Sequence, residues 1–186
     1  MKKCVLFLLL FFGCMQWAVV GFAQRRDTGN WELGFYKTAD GERGNPFYQV
    51  VLPGLNFNNN ESVKLIIKVD YAVINGFTLS LLDKNGEYIN LGEDVRIGFS
   101  ENWRTETRIK NFIEVDRTHI RGQACYVESQ SQINKLADLL CKEDFAIFIY
   151  ITNGDNAEIY GTVIGNETQH LEGAVDNLLI MHNSYN

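Results

Sequence analysis

The stretch "FAIFIYITNGDNAEIYGTVIG", residues 145–165, predicts a β-hairpin at the centre of the fold. Its first strand alternates two apolar sets: Phe145, Ile147, Ile149 and Ile151 on one face, and Ala146, Phe148, Tyr150 and Thr152 on the other. A strand that is apolar on both faces has to be covered on each side by sheet or helix. We therefore predict that this strand is central and belongs to the core.

A binding surface on this hairpin is then expected at its polar turn, "NGDN" at 153–156, or at loops that share that end of the sheet. Asn153 favours a tight turn, and Asp155 places a charge and a hydrogen-bond acceptor at an exposed tip. Asn153, Asp155 and Asn156 are our first candidate binding residues.

The preceding chain has the period-two alternation of strands. Strands are predicted at 31–37, 47–52, 63–69, 77–82, 87–91, 94–99, 104–109 and 112–115, with turns at Pro53-Gly54 and at "DKNG" 83–86. A calcium loop at 83–94 is a poorer interpretation, because the ligand order of such loops is missing.

Two helices are predicted late in the chain, each with one apolar face. The first lies in "SQINKLADLLCKED", with Ser131 as its cap and Ile133, Leu136, Ala137 and Leu140 on its buried face. The second lies in "ETQHLEGAVDNLLIM", with Leu171, Ala174, Val175, Leu178 and Leu179. Consecutive strands with late helices predict an α+β, mostly β domain over residues 24–186, an antiparallel sandwich or bent sheet with both helices packed on it.

The start of the chain predicts an export signal. Two lysines precede an apolar run at 5–12, which is shorter than the roughly 20 residues of a membrane span. The small residues Gly21 and Ala23 predict cleavage between Ala23 and Gln24. Residues 1–23 are then a signal peptide, and the protein is expected to be periplasmic or secreted. In the alternative, "FFGC" is a lipoprotein signal and the protein is lipid-anchored through Cys14.

Removal of residues 1–23 takes away two lysines and no acidic residue, which leaves 15 basic and 23 acidic side chains and a formal charge of −8. An acidic surface repels nucleic acid and anionic lipid. We expect no nucleic-acid partner, a membrane only if Cys14 is lipidated, and a possible preference for a basic protein partner.

Cys125 and Cys141 are the cysteines that remain after soluble processing. Export takes them into an oxidising compartment, so a disulfide is the first expectation. A loop of about 15 residues closed in this way would stabilise the fold by roughly 3 kcal/mol. A metal pair or a nucleophile is the alternative, but the spacing and neighbours do not suit zinc, and we expect no metal and no cofactor.

No catalytic signature is present. His119 lies in "EVDRTHIRG" near acidic residues and could act as a general base, but no Gly-x-Ser-x-Gly elbow accompanies it. Two carboxylate pairs, Glu93/Asp94 and Glu143/Asp144, could share a substrate. The members of each pair are adjacent in sequence, so on a strand they would point to opposite faces. We predict that the protein is not an enzyme, with a hydrolase built on His119 as an alternative.

Aromatic residues near loops and strand ends can form a binding patch for protein or glycan. Those in such positions are Tyr36, Phe47, Tyr48, Trp103 and Tyr126. Tyr48 and Trp103 complete our set of candidate binding residues.

The closing segment "LADLLCKEDFAIFIYITNGDNAEIYGTVIGNETQHLEGAVDNLL", over residues 136–179, resembles the small exported accessory proteins associated with type VI secretion. In that family a leucine-rich helix, a hairpin, a glycine and an amphipathic helix close the domain. The cysteines depart from the family pattern, because this chain has none at 65–68 or 179–182. The resemblance implies an exported, non-catalytic envelope protein.

Two functions follow as expectations. The first is a non-enzymatic envelope protein that binds a protein partner, such as an inhibitor or immunity-type factor against a toxin or hydrolase. The second is a structural or accessory component of a secretion or cell-surface assembly.

Overall fold

The computed structural model describes residues 26–70, 76–92, 94–100, 111–115, 119–142, 145–153, 155–164 and 166–185. Its strands are β1 (Glu32–Lys37), β2 (Arg43–Asn56), β3 (Glu61–Asp70), β4 (Phe77–Leu82), β5 (Asp94–Ser100), β6 (Asn111–Val115), β7 (Ile120–Arg121), β8 (Ala124–Val127), β9 (Phe145–Asn153) and β10 (Asn156–Ile164). Its helices are α1 (Gln130–Leu140) and α2 (Leu171–Tyr185). The predicted signal peptide and the predicted strand at 104–109 lie outside the described residues.

The strands form one antiparallel sheet in the order β6-β5-β9-β10-β2-β3-β4-β8-β7, and β1 pairs with β2 outside this path. Strand β6, at one end of the sheet, contacts β8, near the other end. The sheet therefore curls into a nearly closed, barrel-like shape. The predicted α+β, mostly β class with a bent antiparallel sheet is confirmed.

The hairpin of β9 and β10 is present as predicted, paired from Ile164↔Phe145 to Asn156↔Asn153. Strand β9 is central, because β5 pairs with its other edge. Its inward residues, such as Ile149, are buried, but Phe148 and Tyr150 on the outer face are only half-buried. The prediction that both faces belong to the core is therefore wrong for Phe148 and Tyr150, whereas Ala146 on the same face is buried.

The interior of the barrel is filled by side chains. The inward isoleucines of β9 meet buried leucines and isoleucines from β2, β3, β4 and β5. A gap of only about 10 Å³ remains among residues such as Leu65, Ile149 and Tyr160, which is at the lower limit of what one water needs. The described side chains around this gap therefore leave no space for a ligand.

The segment Pro53-Gly54 is not a turn but continues β2, with Pro53 opposite Lys64 of β3. Proline is tolerated there because the β2 edge facing away from β3 is locally unpaired. On that edge β1 pairs only as far as Gln49, and β10 pairs only from Leu55. A missing backbone N–H is harmless on an unpaired edge.

Three other local predictions are corrected. Residues 87–91 form no strand and make one isolated bridge, Leu82↔Tyr88. Helix α1 begins earlier than predicted, since the carbonyl of Ser129, not a Ser131 cap, accepts its first hydrogen bonds. Leu179 of α2 is exposed rather than buried.

Helix α2 holds the first described residues in place. The side-chain amide of Asn177 accepts a hydrogen bond from the backbone N–H of Arg26 and donates one to the carbonyl of the same residue, both at 2.9 Å. The indole N–H of Trp31 donates to the carbonyl of Thr168 just before α2, at 3.1 Å. These contacts join the two ends of the described chain over one end of the barrel.

We expect Ile149→Asp to unfold the protein and Asp155→Lys to leave its melting temperature nearly unchanged. Ile149 is buried and has no partner for a charge, and an unpaired buried carboxylate costs several kcal/mol against a total stability of about 5–15 kcal/mol. Asp155 is exposed at the hairpin turn. Thermal unfolding followed by circular dichroism measures both effects. A folded Ile149→Asp variant together with an unfolded Asp155→Lys variant would contradict the placement of Ile149 in the core and of Asp155 at the exposed turn.

Gly173→Ala should destabilise the protein, although alanine is the better helix former by about 1 kcal/mol. A Cβ at Gly173 would lie 2.0 Å from the carbonyl oxygen of Asp27, so the N-terminal segment has to move. Overpacking of this kind costs about 1–3 kcal/mol. Asn183→Ala, at an exposed position of the same helix, is the control. Equal melting temperatures for the two variants would show that the segment is not held by α2.

Candidate functional site

The predicted tip residues lie at one end of the barrel, which we call the loop end. The turns β2–β3, β4–β5, β7–β8 and β9–β10 all meet there, as the strand registers require. Asp155 and Asn156 are exposed on the β9–β10 turn. The backbone of Asn153 pairs with Asn156 at the start of the same turn. The structure places Asp155 and Asn156 at the exposed turn, and the role of all three residues in binding stays a prediction.

Side-chain amides brace the loop end. Asn58, in the β2–β3 turn, donates from Nδ2 to the carbonyl of Ala157 at 2.9 Å and accepts the N–H of Ile159 at 3.0 Å. The N–H of Phe57 donates to the carbonyl of Ile159 at 2.8 Å. The β2–β3 turn is thus fixed against β10, which makes this end of the barrel a preformed surface.

Carboxylates predominate at the loop end. Those on its turns and strand ends are Glu61, Asp83, Glu87, Asp94, Asp155 and Glu158. Of the basic residues on the same turns, Lys84 is paired with Glu61 at 2.6 Å. The backbone N–H groups of Glu87 and Asn85 hold the pKa of Asp83 below its usual value, so that carboxylate stays charged in mildly acidic solution.

An aromatic surface lies on the outer face of β6, β5, β9 and β10, next to the loop end. We call Phe57, Phe112, Phe148 and Tyr150 the aromatic platform. The rings of Phe57 and Phe148 are 6.0 Å apart between centroids, and those of Phe112 and Tyr150 are 5.8 Å apart. Phe57 is 50% exposed and Phe112 is 40% exposed, so the platform presents apolar area to solvent.

Two glycines shape the platform. Phe148 is paired across the sheet with Gly98 on one side and Gly161 on the other. A Cβ at Gly161 would lie 2.6 Å from Cε2 of Phe57 and 2.9 Å from Cδ1 of Phe148. The rings can therefore lie across the strands only because the neighbouring positions carry no side chain.

A concave site lies on the opposite side of the barrel, over the outer face of β4. We call it the β4 groove, and its volume is about 560 Å³. Thr78 and Ser80 of β4 form the floor, and Lys68 and Tyr126 flank it, because both pair with Thr78 in register. The other polar or aromatic residues of its lining are Tyr36, Tyr88, Asn90, Arg121 and Gln123.

Aromatic rings hold the two cations of the β4 groove. The ammonium of Lys68 lies 4.7 Å from the ring centroid of Phe47, and the guanidinium of Arg121 lies 5.1 Å from that of Tyr126. Such cation–π contacts fix the direction of flexible side chains. Burial lowers the pKa of Lys68, although the carboxylate of Asp70 acts in the opposite direction.

Tyr36 is fixed at the edge of the same groove. Its hydroxyl donates to Oδ2 of Asp70 at 2.7 Å, and its ring packs on Phe47 with centroids 4.7 Å apart. Burial, followed by this hydrogen bond to a carboxylate, raises the pKa of Tyr36 above its usual value. Its phenol is therefore a neutral hydrogen-bonding group and not an acid or base at physiological pH.

The predicted aromatic patch is not one surface. Tyr36 and Tyr126 line the β4 groove, and Phe47 is buried beneath Tyr36. Tyr48 is wrong as a binding residue, because it points into the core beside Asn177 and is 2% exposed. Trp103 lies outside the described residues. Sequence reasoning missed the platform because it assigned Phe148 and Tyr150 to the core.

The predicted disulfide is not formed. Cys125 is a buried free thiol that faces the barrel interior from β8, and Cys141 is a free, exposed thiol at the end of α1. Burial raises the pKa of Cys125 to about 12. Partial burial, together with Glu172 and Asp138, raises the pKa of Cys141. The pairing fails because the β8 register turns Cys125 inward.

His119 pairs with a carboxylate, as a general base would, with Nε2 at 3.2 Å from Oε2 of Glu128. Both side chains are partly exposed. The nearby thiol of Cys125 is sealed in the core and is protonated, so it offers His119 no nucleophile. No group of three or more potential metal ligands occurs within the described ranges, and neither α1 nor α2 is long and apolar enough to span a membrane.

Alkylation should distinguish the two thiols. In the native protein at pH 8, we expect iodoacetamide to modify Cys141 slowly and Cys125 not at all, as read from peptide masses. The rate at Cys141 should rise as pH increases beyond the usual thiol pKa of about 8.5, because its thiolate forms only at higher pH. Unfolding in denaturant should make both thiols reactive. A Cys125–Cys141 cross-link in the non-reduced digest would contradict this result.

Comparison with protein-family models, with curated proteins and with solved structures gives no match for the chain. The resemblance of residues 136–179 to exported accessory proteins of type VI secretion therefore stays a prediction. The function has to be argued from the surfaces of the barrel itself.

Proposed function

We propose that this protein is a non-enzymatic, exported binding protein whose partner is another protein, as for an inhibitor or immunity-type factor against a toxin or hydrolase. The aromatic platform supports this proposal best. Aromatic residues are enriched in protein interfaces and supply most hot spots. A soluble domain otherwise has little reason to place Phe57 and Phe112 half-exposed beside two further rings.

The platform is rigid enough to serve as a preformed docking surface. The rings of Phe112, Phe148 and Tyr150 lie on paired strands of the central sheet, and the brace between Asn58 and β10 fixes the turn that carries Phe57. A preformed interface loses little conformational entropy when its partner binds. Rings on strands are therefore better placed for tight binding than rings on loops.

Charge supports a basic partner. The carboxylates of the loop end adjoin the platform, since Asp94 pairs with Thr152 on β9 and Asp155 lies on the turn that follows this strand. Arg96, which pairs with Tyr150, carries the opposite charge, but an excess of carboxylates beside an apolar surface still steers a basic partner and speeds association. Apolar contact would then supply affinity, and the carboxylates would supply orientation and rate.

Replacement of both exposed rings should abolish partner binding without unfolding the protein. We expect Phe57→Ser with Phe112→Ser to lose a stoichiometric partner that the wild-type protein retains in pull-down from an envelope extract. Loss of one hot-spot side chain weakens binding by about 2 kcal/mol or more. Leu179→Ser with Ile180→Ser, two similarly exposed apolar positions on α2, is the matched control.

The same assay tests the charge argument. Asp155→Lys and a rise in salt should both slow association, because screening acts over about 10 Å at 0.1 M salt. If the partner is retained equally by the wild-type protein and the platform variant, the platform is not the interface. If no stoichiometric partner is captured by the wild-type protein under any salt condition, the proposed function is wrong.

A further inference from the structure

We propose that the β4 groove is a second, separate binding site, and that its ligand is a saccharide that carries a carboxylate group. The groove lies on the side of the barrel opposite to the aromatic platform, so this proposal does not depend on the proposed protein partner. Its volume of about 560 Å³ is within the range of about 300–1,000 Å³ that is typical of small-molecule sites.

The floor of the groove carries two hydroxyl groups whose oxygens are open to solvent. Thr78 is 9% exposed and Ser80 is 6% exposed, yet neither hydroxyl has a hydrogen-bond partner within the described part of the chain. Two such hydroxyls on one strand, both facing the groove, are available to donate to and accept from polar groups of a ligand.

The groove suits a saccharide better than a peptide strand. An extended peptide is usually bound through the free backbone edge of a sheet. Strand β4 has no such edge, because β3 pairs with one side of it and β8 with the other. Recognition therefore has to come from side chains, and those present are the hydroxyls of the floor, the amides of Asn90 and Gln123, and tyrosines.

That set matches the chemistry of a sugar. Amide and hydroxyl groups can donate to and accept from the many hydroxyls of a saccharide. The rings of Tyr36, Tyr88 and Tyr126 supply apolar faces and edges for its C–H surfaces. Tyr36 is held in one orientation by Asp70, so part of the site is formed before the ligand binds.

The carboxylate is inferred from the two cations. Lys68 and Arg121 both line the groove, although the chain as a whole has a formal charge of −6. Each lies near an aromatic ring, although Arg121 is also exposed to solvent. A charge-assisted contact between Arg121 and a carboxylate of the ligand is stronger than a neutral hydrogen bond.

The test is a nuclear magnetic resonance titration of the full protein with cellobiouronic acid and with its neutral counterpart, cellobiose. We expect saturable shifts at groove residues with the acid, and at least about tenfold weaker binding of cellobiose. Acetate and inorganic phosphate should bind more weakly than cellobiouronic acid. If cellobiose binds as tightly as cellobiouronic acid, the ligand does not need a carboxylate group. If acetate or phosphate binds as tightly, the ligand does not need to be a saccharide.

Variants locate the site. Arg121→Gln should weaken binding of cellobiouronic acid about tenfold, while Arg96→Gln, at an exposed position of β5 on the other side of the barrel, should leave it unchanged. Ser80→Ala should weaken binding several-fold and keep the melting temperature, because the hydroxyl has no protein partner to lose. No saturable shift in the wild-type protein, or equal effects of Arg121→Gln and Arg96→Gln, would refute the proposal.

Discussion

The pairing of β9 along both of its edges is the constraint on which the rest of the molecule depends. β5 on one side and β10 on the other fix its register, and that register turns Ile147, Ile149 and Ile151 inward. A shift by one residue would exchange the two faces of the strand. It would then place the hydroxyl of Tyr150 in a core that has no room and no partner for it.

Because the barrel interior is full, its chemistry lies on the outside. The two outer surfaces differ in character: the platform consists of partly exposed aromatic rings, and the β4 groove is lined by polar side chains and two cations. They lie on opposite sides of the barrel-like sheet, since β9 and β4 are separated by several strands in either direction. The proposed protein partner and the proposed saccharide would therefore contact different strands of the barrel.

Sequence periodicity predicts the elements well where one face of a strand or helix is buried, as in β3, β4, β9 and α1. Periodicity fails where the conformation or burial of a residue depends on which strand pairs with its own. Pro53 reads as a turn because the sequence does not show that its strand edge is unpaired, and Phe148 reads as core because the flanking Gly98 and Gly161 are distant in sequence. The β4 groove could not be predicted from the sequence for the same reason. Its lining residues, among them Tyr36, Lys68, Tyr88 and Arg121, come together only after folding. Of the predicted binding residues whose side chains the structure describes, Asp155 and Asn156 have the expected exposure and Tyr48 does not.

The clamp between Asn177 and Arg26 also sets an order of events during folding. Its two residues are 151 positions apart, and the bond from Trp31 to Thr168 spans 137 positions. Contacts of such long range stabilise the fold only after the chain has lost the entropy of a large loop, and this makes folding slow. The barrel end next to the first described residues therefore stays open until the fifteen residues of α2 have been synthesised. A chain that completes its core so late remains unfolded for longer during synthesis.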